Sequence, residues 1–377
     1  MEAISNGCAL KRNQSTGIPN IISAGGLFLC VQSVNLHNSR SAHKRTTHLD
    51  DFHDMTQPQR GQSLKVAVAL LTVYLVWGST YLAIRIGLDG WPPFLLAATR
   101  FITAGLLLLM FGFLRHEPLP TAWLQWRTLI ITGVLMLTIG NACVVWAELY
   151  VASGMVAVIV GTASLWMMLL DAMRPKGERM TWAKLAGAIL GLAGVAVLMA
   201  PQLANGGNDH ALWGQLVLLG GSLSWAFGSV YSKHAPMPRS NVVGSGVQML
   251  VAGFVLFVLA TATGELASFD GHRVLGAPLW AVSYLITFGS CVAFTAYSWL
   301  LRHTGPALAS TYAYVNPVVA VLLGTMLRHE PVTHGLLLGS ALVLLSVFAI
   351  QRARVKLAAQ LAREARSPSA ATAKEPA

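Results

Sequence analysis

An all-α, polytopic membrane protein is the fold class this sequence predicts, with ten transmembrane helices forming two inverted five-helix repeats. Three observations predict it. Only 11% of the 377 residues are charged while 54% are hydrophobic, against about a quarter charged in a soluble domain. Apolar runs of roughly 18 residues or more recur along the chain, each long enough to cross about 30 Å of hydrocarbon. The later runs also echo the earlier ones. Because a backbone in lipid must satisfy its own hydrogen bonds, the runs should be helices.

Residues 1–64 are polar, rich in Ser, His, Asn and Gln, and lack helical periodicity. They offer too little apolar area to offset ordering entropy, so a disordered extension is expected. Residues 21–31, behind Lys11 and Arg12, faintly imitate a signal peptide, but Pro19 and a Gly pair break the pattern and no clear cleavage site follows. Met55 opens MTQPQRGQSLK, which would serve as a cytoplasmic lead-in, so residues 1–54 read as an over-extended start.

Ten apolar spans follow, near 66–86, 93–113, 128–147, 151–172, 182–200, 211–232, 242–262, 278–301, 306–327 and 334–351. Loops rich in Gly, Pro or charge separate them, among them LDGWPP, RHEPLP, RPKGER, NGGNDH and HAPMPRS. Residues 352–377 form a basic tail, expected to begin as an interfacial helix and end disordered. One side of the membrane would hold Arg115, Arg127, Arg174, Lys176, Arg179, Lys184, Lys233, Arg239, Arg302 and the tail. The other would hold Arg273, Arg328 and the edge residue Arg85. That bias predicts both termini in the cytoplasm of a plasma (inner) membrane protein.

Leu75-Val76-Trp77 and Arg85 align with Leu223-Ser224-Trp225 and Lys233 at a shift of 148 residues. The same shift pairs Arg100 with Gln248 and Ala104-Gly105 with Ala252-Gly253. At a shift of 152, Glu178, Thr181 and Gly187 match Glu330, Thr333 and Gly339. The repeats are therefore drawn at 65–200 and 211–351. Five spans are an odd number, so the second copy enters from the opposite face. Two such units can rock about a central site open to either side in turn, as a carrier of small molecules requires.

Other classes have less support. The net charge of +11 sits in short loops and the tail, and no nucleic-acid module accompanies it. Cys8, Cys30, Cys143 and Cys291 form no CxxC pair, so neither a disulfide framework nor a metal site is indicated, and no cofactor is expected. HEPVTH at 329–334 spaces its second His one residue too far to match HExxH. An intramembrane enzyme or a channel remains the alternative. No nucleotide-binding motif is present, so a carrier would draw on a gradient.

The motifs VWGSTYLAIRIGL (76–88), ATRFITAG (98–105), GNACVVWAELYVASG (140–154) and TYAYVNPVVAVLLG (311–324) resemble the EamA family. That family belongs to the drug/metabolite transporter superfamily, and the chain looks like its YedA-like branch. The resemblance covers residues 65–352. It implies ten helices, a central cavity, and export or exchange of metabolites such as amino acids or drug-like compounds. Arg328-His329 departs from the pattern, since the family often has Gly before the Glu that is Glu330 here.

Polar and aromatic groups within the spans mark the candidate substrate-binding residues: Trp77, Arg100, Asn141, Glu148, Trp166, Trp225, Gln248, Tyr312 and Asn316. An intramembrane charge such as Arg100 is expensive and often functional, with snorkelling to the interface as the alternative. Glu148 is its nearest partner by depth, and the pair would orient the cavity mouth or hold a substrate carboxylate. Trp77, Trp225 and Trp166 lie too deep for interfacial anchors and read as packing or as an aromatic wall. Asn141, Ser164, Gln248, Tyr312, Tyr314 and Asn316 bind or bridge helices, a bridge contributing about 1 kcal/mol or less. Pro317 after Asn316 should kink span nine. Gly187, Gly191 and Gly194, with Ser224, Gly228, Ser229 and Ser232, form small-residue faces for helix packing, or for a homodimer. Glu178 and Glu330 are placed to favour the N-termini of spans five and ten.

Overall fold

The computed structural model describes residues 60–174, 180–204, 209–304 and 306–366. Residues 1–59 of the N-terminal extension, Glu178 and residues 367–377 lie outside them, and residues 60–64, expected to be disordered, instead open the first helix. The described residues form ten helical rods and contain no strand. They are α1 (Arg60–Gly87), α2 (Pro93–Leu114), α3 (Trp123–Ala147), α4 (Ser153–Ala172) and α5 (Trp182–Ala204), then α6 (Asp209–His234), α7 (Asn241–Ala262) and α8 (Ala277–His303). α9 comprises Pro306–Ala309 and Tyr312–Arg328, and α10 is His334–Arg366.

Seven of the rods are long and apolar enough to cross a membrane. The other three depart from a plain apolar span for visible reasons. α6 carries Gln215, Ser222, Ser229 and Ser232, all turned into the protein. α9 is interrupted at Ser310–Thr311, which leaves a shorter apolar piece, Val315–Arg328. α10 has an apolar stretch only over His334–Ile350 and then continues as helix through the basic tail to Arg366. Large apolar side chains including Met110, Phe113, Phe254, Trp280, Leu322 and Phe348 point outward. Such a surface suits hydrocarbon and not water.

The repeat is visible in the packing. α2 runs along α7 and α5 along α10, while α1 lies on α9 as α6 lies on α4. α3 packs against α6 and α7, and α8 correspondingly against α1 and α2. Glycine sets the closest approaches. A Cβ on Gly194 would stand 2.9 Å from the Gly339 carbonyl oxygen, and one on Gly105 2.9 Å from that of Gly246. Ser346 Oγ also donates to the Gly187 carbonyl at 2.6 Å. The small-residue face of α5 thus packs within the chain, against α10.

Irregularities recur too. α3 widens into a π-helix over Gly133–Ile139 and α8 over Leu285–Phe294. Their first residues are 152 apart, the shift that relates the later parts of the two halves. Ser224 Oγ, from α6, ties down the first of these segments through the Leu135 carbonyl at 2.7 Å. α4 breaks at Thr162 and α9 at Ser310–Thr311. Helix ends repeat as well: Leu-Arg-His-Glu-Pro closes α2 at 114–118 and α9 at 327–331, and both His116 and His329 take φ of 52°. His329 is thus a left-handed residue at the position where the resembled family often has Gly. Glu330 does not serve its own helix. Its carboxylate accepts from Ser153 N, Ser153 Oγ (2.8 Å) and Gly154 N at the start of α4.

Candidate functional site at the meeting of the repeats

A cavity of about 70 Å³ lies where the halves meet. Its walls come from α1 (Trp77, Thr80, Tyr81, Ile84), α2 (Arg100, Phe101), α3 (Leu137, Gly140, Asn141, Val144) and Val160 of α4. The second half contributes Gly221, Ser222 and Trp225 from α6, Gly289 and Phe294 from α8, and Tyr312 from α9. None of its lining residues belongs to α5, α7 or α10. Those rods brace the wall helices.

Aromatic rings form one boundary. Trp77 meets Trp225 edge-on at 5.4 Å and Tyr312 edge-on at 5.2 Å, and lies tilted against Tyr297 at 5.0 Å. Tyr297 is completely buried, and its hydroxyl pairs with Ser229 Oγ at 2.9 Å. Trp77 Nε1 donates to the Gly289 carbonyl in the second π segment at 3.2 Å. Trp225 Nε1 is buried without a hydrogen bond of good geometry, close to the hydroxyls of Tyr297 and Tyr312. Beyond this layer, Lys233, Gln248, Ser298 and Arg302 line a second hollow of about 140 Å³ toward the end where α1 begins.

Arg100 is the cavity's one cation among the lining residues. It is 6% exposed, its Nε donates to Ser290 Oγ at 2.8 Å, and its guanidinium lies 4.9 Å from the Phe101 ring centre. The direct Arg100–Glu148 pair expected from the sequence does not form. Glu148 makes no side-chain hydrogen bond, and its backbone carbonyl instead accepts from Arg85 Nη1.

The end of the bundle bearing the α1–α2 turn is clasped by polar contacts between the halves. Arg328 grips Asp89 through two bonds of 2.9 and 3.0 Å. Glu330 holds α4, and the Glu265 carboxylate accepts from Phe94 N (3.3 Å) and Leu95 N (2.8 Å) at the start of α2. Partial burial pushes the Glu265 carboxyl above its ordinary value, and the two backbone donors pull it back. Both carboxylates sit where a helix N-terminus favours negative charge.

Of the residues singled out in the sequence, Trp77, Arg100, Asn141, Trp225 and Tyr312 line this one cavity. Trp166 stands one layer out, its Nε1 on the cavity residue Ser222 at 3.2 Å. Gln248 faces the second hollow and binds Thr132 Oγ1 at 2.6 Å. Asn316 bridges α9 to α1, its amide donating to the Tyr74 carbonyl at 3.1 Å and the Tyr312 carbonyl at 3.3 Å. Sequence reasoning missed Tyr297, whose 152-residue counterpart is the apolar Val145. It also missed Ser290, although its counterpart Thr138 is polar and gave a usable signal.

The EamA-like transporter family model matches residues 64–200 and again 212–352. The chain belongs to the EamA-like transporter family. It is 42% identical over 276 residues to the uncharacterized inner membrane transporter YedA of Escherichia coli (strain K12), covering 71% of this chain and 85% of YedA. It is 24% identical to the uncharacterized transporter YoaV of Bacillus subtilis (strain 168), covering 76% of this chain and 96% of YoaV. One solved structure, titled only as the crystal structure of a protein, superposes with a TM-score of 0.56 at 21% identity over 76% of this chain and 96% of that one. That likeness concerns the fold. An EamA member with this helix set is a multi-pass inner membrane transporter.

Proposed function

We propose that this EamA protein carries small amphipathic metabolites by alternating access, with the cavity at the meeting of the repeats as the cargo site. The observation that carries the reading is the shared wall: both repeats line one cavity, and matched helices flank it. Its present volume is well below the roughly 300–1,000 Å³ of a typical ligand pocket. The described arrangement is therefore the contracted one, and cargo enters as the wall helices part. Indole and phenyl faces suit an apolar body, Arg100 suits a carboxylate, and Asn141, Thr80 and Ser222 offer neutral hydrogen bonds. Amino acids and drug-like acids share that chemistry. The lysine and arginine bias supports cytoplasmic termini.

The test is counterflow in proteoliposomes, using carboxylate-bearing compounds that stabilise the purified protein in a thermal-shift screen. A carrier accelerates labelled uptake when unlabelled compound is loaded inside. A flux indifferent to that loading points to a channel and defeats the proposal.

A further inference from the structure

Glu148 differs from the other carboxylates at the clasped end of the bundle. It follows Ala147 at the end of α3, is 0% exposed, and leaves both carboxyl oxygens without a hydrogen-bond partner. Asp89, Glu265 and Glu330 are each held by an arginine or by backbone N–H groups. The charged and titratable groups acting on Glu148 are Arg85 and Tyr81 from α1, Arg100 from α2, and Glu330 from the turn before α10. Both arginines spend hydrogen bonds elsewhere, Arg85 on the backbone carbonyl of Glu148 itself and Arg100 on Ser290. Glu330 adds negative charge and is committed to α4.

An ionised carboxylate sealed in this way, with no hydrogen bond, carries a penalty of several kcal/mol, and binding a proton removes it. Once exposed to water the balance reverses, because a charged Glu148 is attracted by Arg85, already bonded to its backbone carbonyl, and by Arg100. The group thus has two self-consistent arrangements: neutral with the arginines bonded elsewhere, or charged and paired with them. Glu148 also lies at the clasped end, one residue from Leu149 and four from Ala152, which face the outer hollow with Arg328 and Glu330.

We propose that Glu148 is a proton-binding site of the transport cycle, protonated while the clasped end is closed and releasing its proton to water when that end opens. Opening frees the Glu148 carbonyl from Arg85, the carboxyl O–H bond breaks, and the proton leaves as hydronium while the carboxylate takes the arginines. Closing reverses these steps. The second ligand of this carrier is then a proton. The idea extends the carrier reading but is tested without cargo, so its failure is distinct from a failure of counterflow.

The experiment uses the full chain in lipid nanodiscs, with the four native cysteines replaced and spin labels at positions 149 and 332. Inter-label distances and the infrared C=O stretch of protonated carboxyls are followed from about pH 5 to pH 9, the range documented for buried carboxyls. The wild-type background is expected to lose an acid band as the pH rises, in step with a shift to longer distances. The ratio of the two distance populations should change by up to about tenfold per pH unit, the limit for one proton. Glu148→Gln should abolish both signals, and Glu148→Asp should keep both at a displaced midpoint, which separates titration from loss of fold. A distance shift that survives Glu148→Gln, or an acid band unaffected by it, overturns the proposal.

Discussion

Arg100 takes its meaning from being held by a neutral partner. Ser290 Oγ fixes its Nε, and the remaining guanidinium donors face a cavity that offers no carboxylate. Arg100→Ala is expected to lower counterflow by at least tenfold with normal insertion, which corresponds to about 1.4 kcal/mol of binding. Arg100→Lys should recover only part of it, because an ammonium cannot hold Ser290 and a carboxylate in one planar fork. Unchanged exchange in Arg100→Ala would make the side chain a packing element. Tyr297 calls for a different comparison. Tyr297→Phe removes the hydroxyl that bonds Ser229 and neighbours Trp225 Nε1 and should cost about 1 kcal/mol, whereas Tyr297→Ala empties a ring site and should cost about 3–5 kcal/mol. Unfolding by denaturing detergent measures both. Arg100 was legible in the sequence because a charge inside an apolar run is conspicuous. Tyr297 was not, because a tyrosine at that depth with no polar repeat mate looks like any packed aromatic.

Among the elements, span positions could be read from apolar length, since a rod crossing hydrocarbon has little choice of composition. The breaks at Thr162 and Ser310–Thr311 and the two π segments could not. Ser224 of another helix claims the Leu135 carbonyl in the first π segment, and at the breaks Thr162 and Thr311 turn their own hydroxyls onto the Ile159 and Leu308 carbonyls, contacts that apolar length does not encode. Helix contacts were partly legible through glycine, and the structure separates those that matter. Gly194→Leu would drive a branched side chain into the Gly339 carbonyl and separate α5 from α10, so little folded protein should be recovered on size exclusion. Gly220 faces outward, and a Cβ added there would meet nothing within 4 Å, so Gly220→Ala should leave the elution profile unchanged or slightly improved. His329→Gly should relieve left-handed strain of about 1 kcal/mol, less what glycine gives to the unfolded chain. A fall in detergent resistance would mean that the imidazole itself contributes at that turn.

For the whole molecule, the inverted halves make a statement about sides. Glu117 in the α2–α3 connection and Ser268 between α7 and α8 are both exposed, at opposite ends of the bundle. Single cysteines placed there in a cysteine-free chain should react with impermeant maleimide from opposite faces of a sealed membrane. Labelling of both from the same face would contradict the fold. The two π segments carry a further consequence. Each holds surplus backbone relative to an α-helix, like slack in a wound cord. Handing one residue of that slack along the rod turns everything beyond it by about 100° and advances it by about 1.5 Å. In α3 the part that turns begins at Gly140 and Asn141, and in α8 it includes Tyr297. A modest rewinding at either place therefore swivels a polar amide away from the pocket, or a phenol across its floor, with no need to tilt the whole rod.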